Sequence, residues 1–333
     1  EQRYPKYGNL VPRDIATREI FNVCTKEGLS VEKDRMCVYL DVSHLPRQEL
    51  DRKLGGILEI YEKFQGVDPR DVPMKIFPAV HYSMGGLWCG YERSSAGGLE
   101  VGSPRNHETN IPGIYAIGEC DYHYHGANRL GANSLIACIF SGLVTGTGVA
   151  NRLKSPDGPV AADRPASLFD RACQARQADF KALLARDGKG GNPYEIHQEL
   201  GRAMTAAATV VRHNPELEAA IGKVEELRER ARRCSLSDTG QWTNQNVVFT
   251  RALEDMFPLA LTILHGALAR DECRGAHFKP ELARPDIDAK EPAERRRQAE
   301  AWCDRFEENN KRWLKSMIAR LDADGTPRGT APT

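Results

Sequence analysis

The sequence has no excess of charge of either sign: 46 lysines and arginines balance 46 aspartates and glutamates. That balance removes the electrostatic footprint of a dedicated nucleic-acid binder, so no nucleic-acid partner is expected. The basic runs at residues 228–233 and 295–297 read as solvated helix faces. There is no C-x-x-C pair, and the nine cysteines are scattered and odd in number. This argues against a disulfide framework and against a zinc or iron–sulfur site, and fits a reducing compartment. No apolar run reaches the ~20 residues of a spanning helix. The longest, residues 135–150, contains Gly142, Gly146 and Gly148 and reads as a buried core helix. Also missing is a G-x-G-x-x-G turn after a strand, the pyrophosphate cradle of a dinucleotide fold.

What is present is a chain of 333 residues with 41% hydrophobic content, enough for two or three packed units. Its most informative stretch is His125-Gly-Ala-Asn-Arg-Leu-Gly-Ala-Asn-Ser-Leu135, which runs into the apolar segment. Gly126 and Gly131 allow close backbone approach to a ligand, and Asn133 or Ser134 is a natural N-cap for the helix that follows. A helix N-terminus carries roughly half a positive charge and several unpaired N–H groups, so it suits an anion or an electron-rich ring. Arg129 adds a full charge beside it. His123 and His125 have the spacing of a metal pair, but with no cysteine or carboxylate partner at a metal-site spacing no metal is expected.

Along the chain, Ala16, Ile20, Val23 and Cys24 form a helical stripe over residues 14–26, with Arg13 at its start, where a cation opposes the helix dipole. Residues 36–42 read as a strand, Leu50, Leu54, Ile57, Leu58 and Tyr61 as one or two helices around Gly55-Gly56, and residues 73–82 as an extended link. Residues 88–111 read as a surface excursion and residues 114–117 as a short buried strand. The Pro-, Asp- and Gly-rich residues 154–165 mark a boundary. Helical periods follow at 168–185, 194–211 and 217–231, joined by short linkers that imply antiparallel neighbours. A further helix at 247–269 is expected to bend or break before Pro258. The charged region beyond Pro280 holds one amphipathic candidate, residues 293–321.

Four further stretches accompany the loop of residues 125–135: Val11-Pro-Arg-Asp-Ile-Ala-Thr-Arg18, His81-Tyr-Ser-Met-Gly-Gly86, Ile111-Pro-Gly-Ile-Tyr-Ala-Ile-Gly-Glu-Cys120 and Arg274-Gly-Ala-His277. In this order they resemble the flavoprotein subunit of succinate dehydrogenase and fumarate reductase over almost the whole chain. The resemblance implies an α/β plus all-α architecture. Residues 1–76 would be the C-terminal part of a capping domain and 77–153 the second segment of an FAD-binding domain. Residues 154–280 would form an antiparallel helical domain and 281–333 a C-terminal tail. With the glycine-rich fingerprint missing, the chain would correspond to the C-terminal half or more of such a subunit.

The resemblance also implies a reaction: succinate and fumarate interconverted by hydride transfer to or from FAD. Arg13 would be the catalytic proton shuttle, and His81 and Arg129 the substrate carboxylate ligands. Glu119, Asn133, Ser134 and Leu135 would lie at the cofactor. Electrons would pass to an iron–sulfur subunit and on to quinone. The subunit would sit on the cytoplasmic side of the membrane, held peripherally through that partner and, indirectly, a membrane anchor. Arg274 and His277 fit packing at least as well as chemistry. An L-aspartate oxidase is the rival enzyme, but it usually has Ala-Ser-Asn-Ser after the leucine, where this chain has Gly131-Ala-Asn-Ser134. A non-catalytic helical interaction protein is the second alternative, and Arg13, His81 and Arg129 argue against it.

Overall fold

The computed structural model describes residues 8, 11–33, 35–156, 164–186, 188–285, 287 and 289–332. The chain forms two compact units, Glu1–His81 and Tyr82–Thr333.

In the first unit, α1 (Arg13–Thr25) follows Pro12, whose fixed φ starts the helix without a side-chain cap. Strands β1 (Val38–Leu40) and β2 (Met74–Ile76) pair antiparallel, with Tyr39 opposite Lys75. Between them α2 (Arg47–Gln65) runs unbroken through Gly55-Gly56 and ends at Gly66 in the left-handed conformation. Each interior glycine costs about 1 kcal/mol. Leu50 and Leu58, both buried with Val42 and Met74, each return roughly 1.5–3 kcal/mol, so a single helix wins.

The second unit begins with an irregular stretch held by isolated bridges, including Glu108 to Tyr115. The buried strand expected at 114–117 is not formed: only Ala116 is buried, while Ile114 and Ile117 are exposed. A single 3-10 turn, Gly118–Cys120, leads toward α3 (Asn133–Lys154). This helix buries one face only, through Ala137, Ser141, Val144, Thr145 and Gly148. Leu135, Ile136, Ile139, Phe140 and Leu143 stand 44–74% exposed, so the expectation of a buried core helix is corrected. By length and composition α3 could also cross a membrane.

Of the boundary region 154–165, residues 157–163 lie outside those described. Helix α4 (Ala166–Leu184) follows and buries only Leu183. The core of this unit is built by α5 (Pro193–Met204), α6 (Asn214–Ala231) and α7 (Gln245–Ala269). Their Ile196, Leu200, Leu217, Val224, Leu227, Leu253, Phe257, Leu261 and Leu264 form one cluster. Asn192 caps α5 by accepting the Tyr194 N–H, and Asn244 caps α7 by accepting that of Val247. A π-helical turn, Thr205–Thr209, ends the α5 segment. The break expected before Pro258 does not occur. The ~3 kcal/mol cost of an interior proline is outweighed by the buried Leu253, Phe257, Leu261 and Leu264 on either side of it.

The tail is also more structured than its charge suggests. Helix α8 (Pro292–Trp313) stops at Leu314, and β3 (Met317–Leu321) pairs antiparallel with β4 (Pro327–Pro332). The turn of this hairpin places Gly325 beside Pro258 of α7 and Arg228 of α6. Leu227→Ala should cost about 2–5 kcal/mol, because its side chain is fully enclosed by the α5–α7 cluster. Urea unfolding followed by circular dichroism checks this.

Candidate active site

Three of the sequence motifs, and residues 82–86 of a fourth, meet within the second unit, and glycine makes two of the contacts possible. A Cβ on Gly86 would lie 2.3 Å from the Cys120 carbonyl oxygen, which accepts the Leu87 N–H at 2.7 Å. The Glu119 carboxylate accepts the Ser83 N–H at 2.9 Å and stays exposed. Residues 83–87 are thereby sewn to the turn at Gly118–Cys120. That turn is fixed to α3 by the Gly118 N–H, which donates to Ser141 Oγ at 2.9 Å.

The second close contact positions the loop of residues 125–132. Gly275 has φ +58°, and a Cβ there would meet the Ala127 carbonyl oxygen at 2.4 Å. The adjacent Ala276 N–H donates to that oxygen at 2.9 Å. Arg274 and His277, on either side, are saturated by protein partners. Glu272, 1% exposed, accepts Nε of both Arg270 and Arg274, and Arg274 also reaches Asn310 of α8 and lies over the Phe306 ring. His277 Nε2–H donates to the Arg270 carbonyl, so its Nδ1 is free to accept from the Arg212 guanidinium. Burial, reinforced by Arg212, pushes the His277 pKa down to about 4. This motif is a structural clamp on the loop.

The loop itself is strained. His125 and Ala132, neither a glycine, take φ of +71° and +65°. A left-handed residue with a Cβ costs about 1–2 kcal/mol, and such outliers persist only where the surroundings hold them. Ala132, rather than the expected Asn133 or Ser134, is the N-cap of α3, and no side chain caps the helix. The N–H groups of Ser134 and Leu135 therefore have no acceptor among the described residues, while Asn133 donates only a long 3.4 Å bond to Leu130. Leu135 is 74% exposed.

Arg129 lies 5.7 Å from the Tyr82 ring centroid and donates to the Leu130 carbonyl, entering no ion pair among the described residues. Tyr82 packs edge-on against His125, and both the Tyr82 hydroxyl and His125 Nε2 are buried without a hydrogen-bond partner among the described residues. Burial and then Arg129 lower the His125 pKa, which keeps that ring neutral and leaves Arg129 as the local cation. The pairing of Tyr82 with His125 was not read from the sequence. Its signal is long-range packing, which spacing does not carry. Arg13, first residue of α1, and His81 are both exposed and belong to the first unit.

Behind the loop, His107 is fully buried. It bonds Thr145 of α3 through Nδ1, and the hydroxyls of Tyr91 and Tyr124 through Nε2. Burial lowers its pKa in spite of the nearby Asp121. Asp121 accepts from Tyr91 and from both the backbone N–H and Nδ1 of His123. Cys89 Sγ lies 3.6 Å from His123 Nδ1. His123 thus has the cysteine and carboxylate neighbours that sequence spacing did not reveal.

An FAD binding domain model matches residues 2–135, and a model of the fumarate reductase flavoprotein C-terminus matches residues 197–328. The chain is 45% identical over 320 residues to a succinate dehydrogenase flavoprotein subunit of Bacillus subtilis, covering 96% of this chain and 48% of that one. It is 31% identical over 324 residues to a fumarate reductase flavoprotein subunit of Escherichia coli, covering 97% and 47%. A solved E. coli quinol fumarate reductase chain is similar in structure, with a TM-score of 0.73 at 30% identity and coverage of 96% and 48%. Over almost its whole length the chain is similar to the flavoprotein subunits of succinate dehydrogenase and fumarate reductase. It spans about half the length of the curated relatives it matches.

Two measurements test the clamp. Gly275→Ala should lower the melting temperature and speed amide exchange at residues 127–131, since the new methyl cannot coexist with the Ala127 carbonyl. His277 binds fewer protons folded than unfolded between its folded pKa of about 4 and an unfolded value near 6.5. Its contribution, on the order of 3 kcal/mol, should therefore be intact above that window and lost as pH falls through it. Urea midpoints from pH 7.5 to 4 should show this acid loss, and His277→Gln should flatten it.

Proposed function

We propose that this chain provides the substrate end and the flavin-ring end of a subunit that interconverts succinate and fumarate. The observation that carries the reading is the N-terminus of α3. It offers two uncapped N–H donors, at Ser134 and Leu135, on a strained loop that also bears Arg129. These donors fit the electron-rich edge of FAD. The positive end of the helix favours negative charge there. Asn133, Ser134 and Leu135 hold the ring end, and Glu119, with one carboxylate oxygen on Ser83 and the rest of the group exposed, accepts cofactor hydroxyls. Bound FAD supplies the hydride acceptor and donor of the reaction.

The chain's own residues hold the substrate and move the proton. Arg129 and His81 bind the two carboxylates, Arg129 by its planar fork. Arg13 carries the proton to and from the substrate carbon opposite the hydride. In this reading residues 1–76 are capping domain, 77–153 flavin domain and 154–280 helical domain, with 281–333 the tail. The helical region offers part of the surface for an iron–sulfur subunit, through which the protein sits peripherally on the cytoplasmic side of a membrane. Relatives titled as succinate dehydrogenase and fumarate reductase flavoprotein subunits support this assignment.

A proton donor acts in the transition state, whereas carboxylate clamps act in both ground and transition states. Arg13→Lys should accordingly lower kcat more than tenfold, above about 1.4 kcal/mol of barrier, and leave malonate affinity within about threefold, or ~0.7 kcal/mol. Arg129→Ala and His81→Ala should weaken malonate binding as well. Steady-state kinetics and malonate titration of the full-length complex separate these outcomes, and an Arg13→Lys enzyme within tenfold of the parent rate removes Arg13 as proton donor.

A further inference from the structure

We propose that Cys89, Asp121 and His123 form a binding site for one divalent cation of the zinc class, on the wall of a cleft in the second unit. The thiol, the carboxylate and the imidazole come from two separate stretches, and their ligand atoms all lie within 4.8 Å of one another. The cleft, about 610 Å³, is lined by Cys89 and His123 together with Trp88, Tyr91, Tyr122 and Glu108; Cys89 and Asp121 are buried in its wall, and His123 is the half-buried donor that faces it.

The donor set selects the ion. One thiolate, one imidazole and one carboxylate is borderline-soft, which suits Zn²⁺ and disfavours Mg²⁺ or Ca²⁺. The geometry is close to what such an ion needs. Two tetrahedral ligands at ~2.3 Å (sulfur) and ~2.05 Å (nitrogen) are about 3.6 Å apart, and Cys89 Sγ and His123 Nδ1 are separated by 3.6 Å. The Nδ1 to Asp121 Oδ1 separation is 2.8 Å, a hydrogen bond, and widens by about half an ångström when a metal replaces the shared proton.

The protons balance simply. The Cys89 thiol proton leaves for solvent, and the His123 proton moves from Nδ1 to Nε2, so the Nδ1 lone pair faces the ion. One proton is released per ion bound, and thiolate plus carboxylate neutralise its two charges. Water from the cleft completes the tetrahedron, because Glu108 is committed to Arg152 and Glu92 faces Arg105. An outer support is already in place. The Tyr91 hydroxyl donates to Asp121 Oδ2 at 3.1 Å and also bonds His107, which is tied to Thr145 of α3. A bound ion would join the Cys89 stretch to the loop that continues into His125 and Arg129.

The test uses the purified full-length subunit titrated with ZnCl₂ and with CoCl₂ against a chromogenic chelator. One ion per chain is expected, and the Co²⁺ form should show thiolate-to-metal charge-transfer absorption. Cys89→Val keeps the buried packing of a small apolar side chain, so it should remove that absorption and weaken Zn²⁺ binding at least tenfold without unfolding the protein. His123→Ala should weaken binding similarly, and Cys303→Ser, at an exposed helix position, should not. Absence of the absorption in the unaltered subunit, or its persistence in Cys89→Val, overturns the proposal.

Discussion

The carbonyl of Ala127 is the point on which the candidate site depends. It accepts the Ala276 N–H and lies where only a glycine at 275 leaves room. A loop that holds two non-glycine residues at positive φ needs such an external restraint. Without it the backbone at His125 and Ala132 would relax, and the α3 N-terminus would be free to take an ordinary side-chain cap. The restraint and the uncapped helix are one device: the clamp absorbs the strain, and the strain keeps donors available for something other than the protein.

The clamp is itself expensive to build, because it rests on buried charge. Glu272 is almost fully enclosed and is neutralised on both sides, by Arg270 and Arg274. Buried ions stabilise a fold weakly but fix geometry strongly, since any arrangement that separates them leaves an unpaired charge. Arg270 extends the network to the Trp313 carbonyl at the end of α8, so the tail is coupled to the loop through side chains rather than through an apolar core. His277 belongs to the same logic: held neutral, it accepts from Arg212 where a protonated ring would repel it.

Much of this was legible in the sequence, and the parts that were not share a cause. Helices α5, α6 and α7 were readable because their apolar spacing coincides with faces that are in fact buried, and α1 by its spacing alone, since only Cys24 of its stripe is buried. Gly55-Gly56 and Pro258 misled because local propensity is worth 1–3 kcal/mol, while the leucines and phenylalanine around them are worth more. The strand at 317–321 was hidden inside a charged helical pattern, because pairing with β4 is a long-range event. The glycine-rich loop was legible as the lead into a helix, which starts at Asn133. The capping residue was not, because a left-handed alanine carries no sequence signature. The Cys89, Asp121 and His123 cluster was equally silent, since Cys89 is 34 residues from His123.

Helix α3 shows why composition alone cannot assign a helix its surroundings. Its length and hydropathy satisfy the test for a membrane span. One side, however, buries Ser141 and Thr145, whose hydroxyls bond the Gly118 N–H and His107. Hydroxyls that answer specific polar partners in the same unit mark a face built against protein. The opposite face, from Leu135 to Leu143, is apolar and exposed, and a patch of that kind calls for a covering surface. The curated relatives are about twice the length of this chain, and the exposed face begins at Leu135, where the uncapped donors end. The apolar face and the polar N-terminus therefore belong to one continuous edge of the unit, polar where a ligand is expected and apolar where packing is.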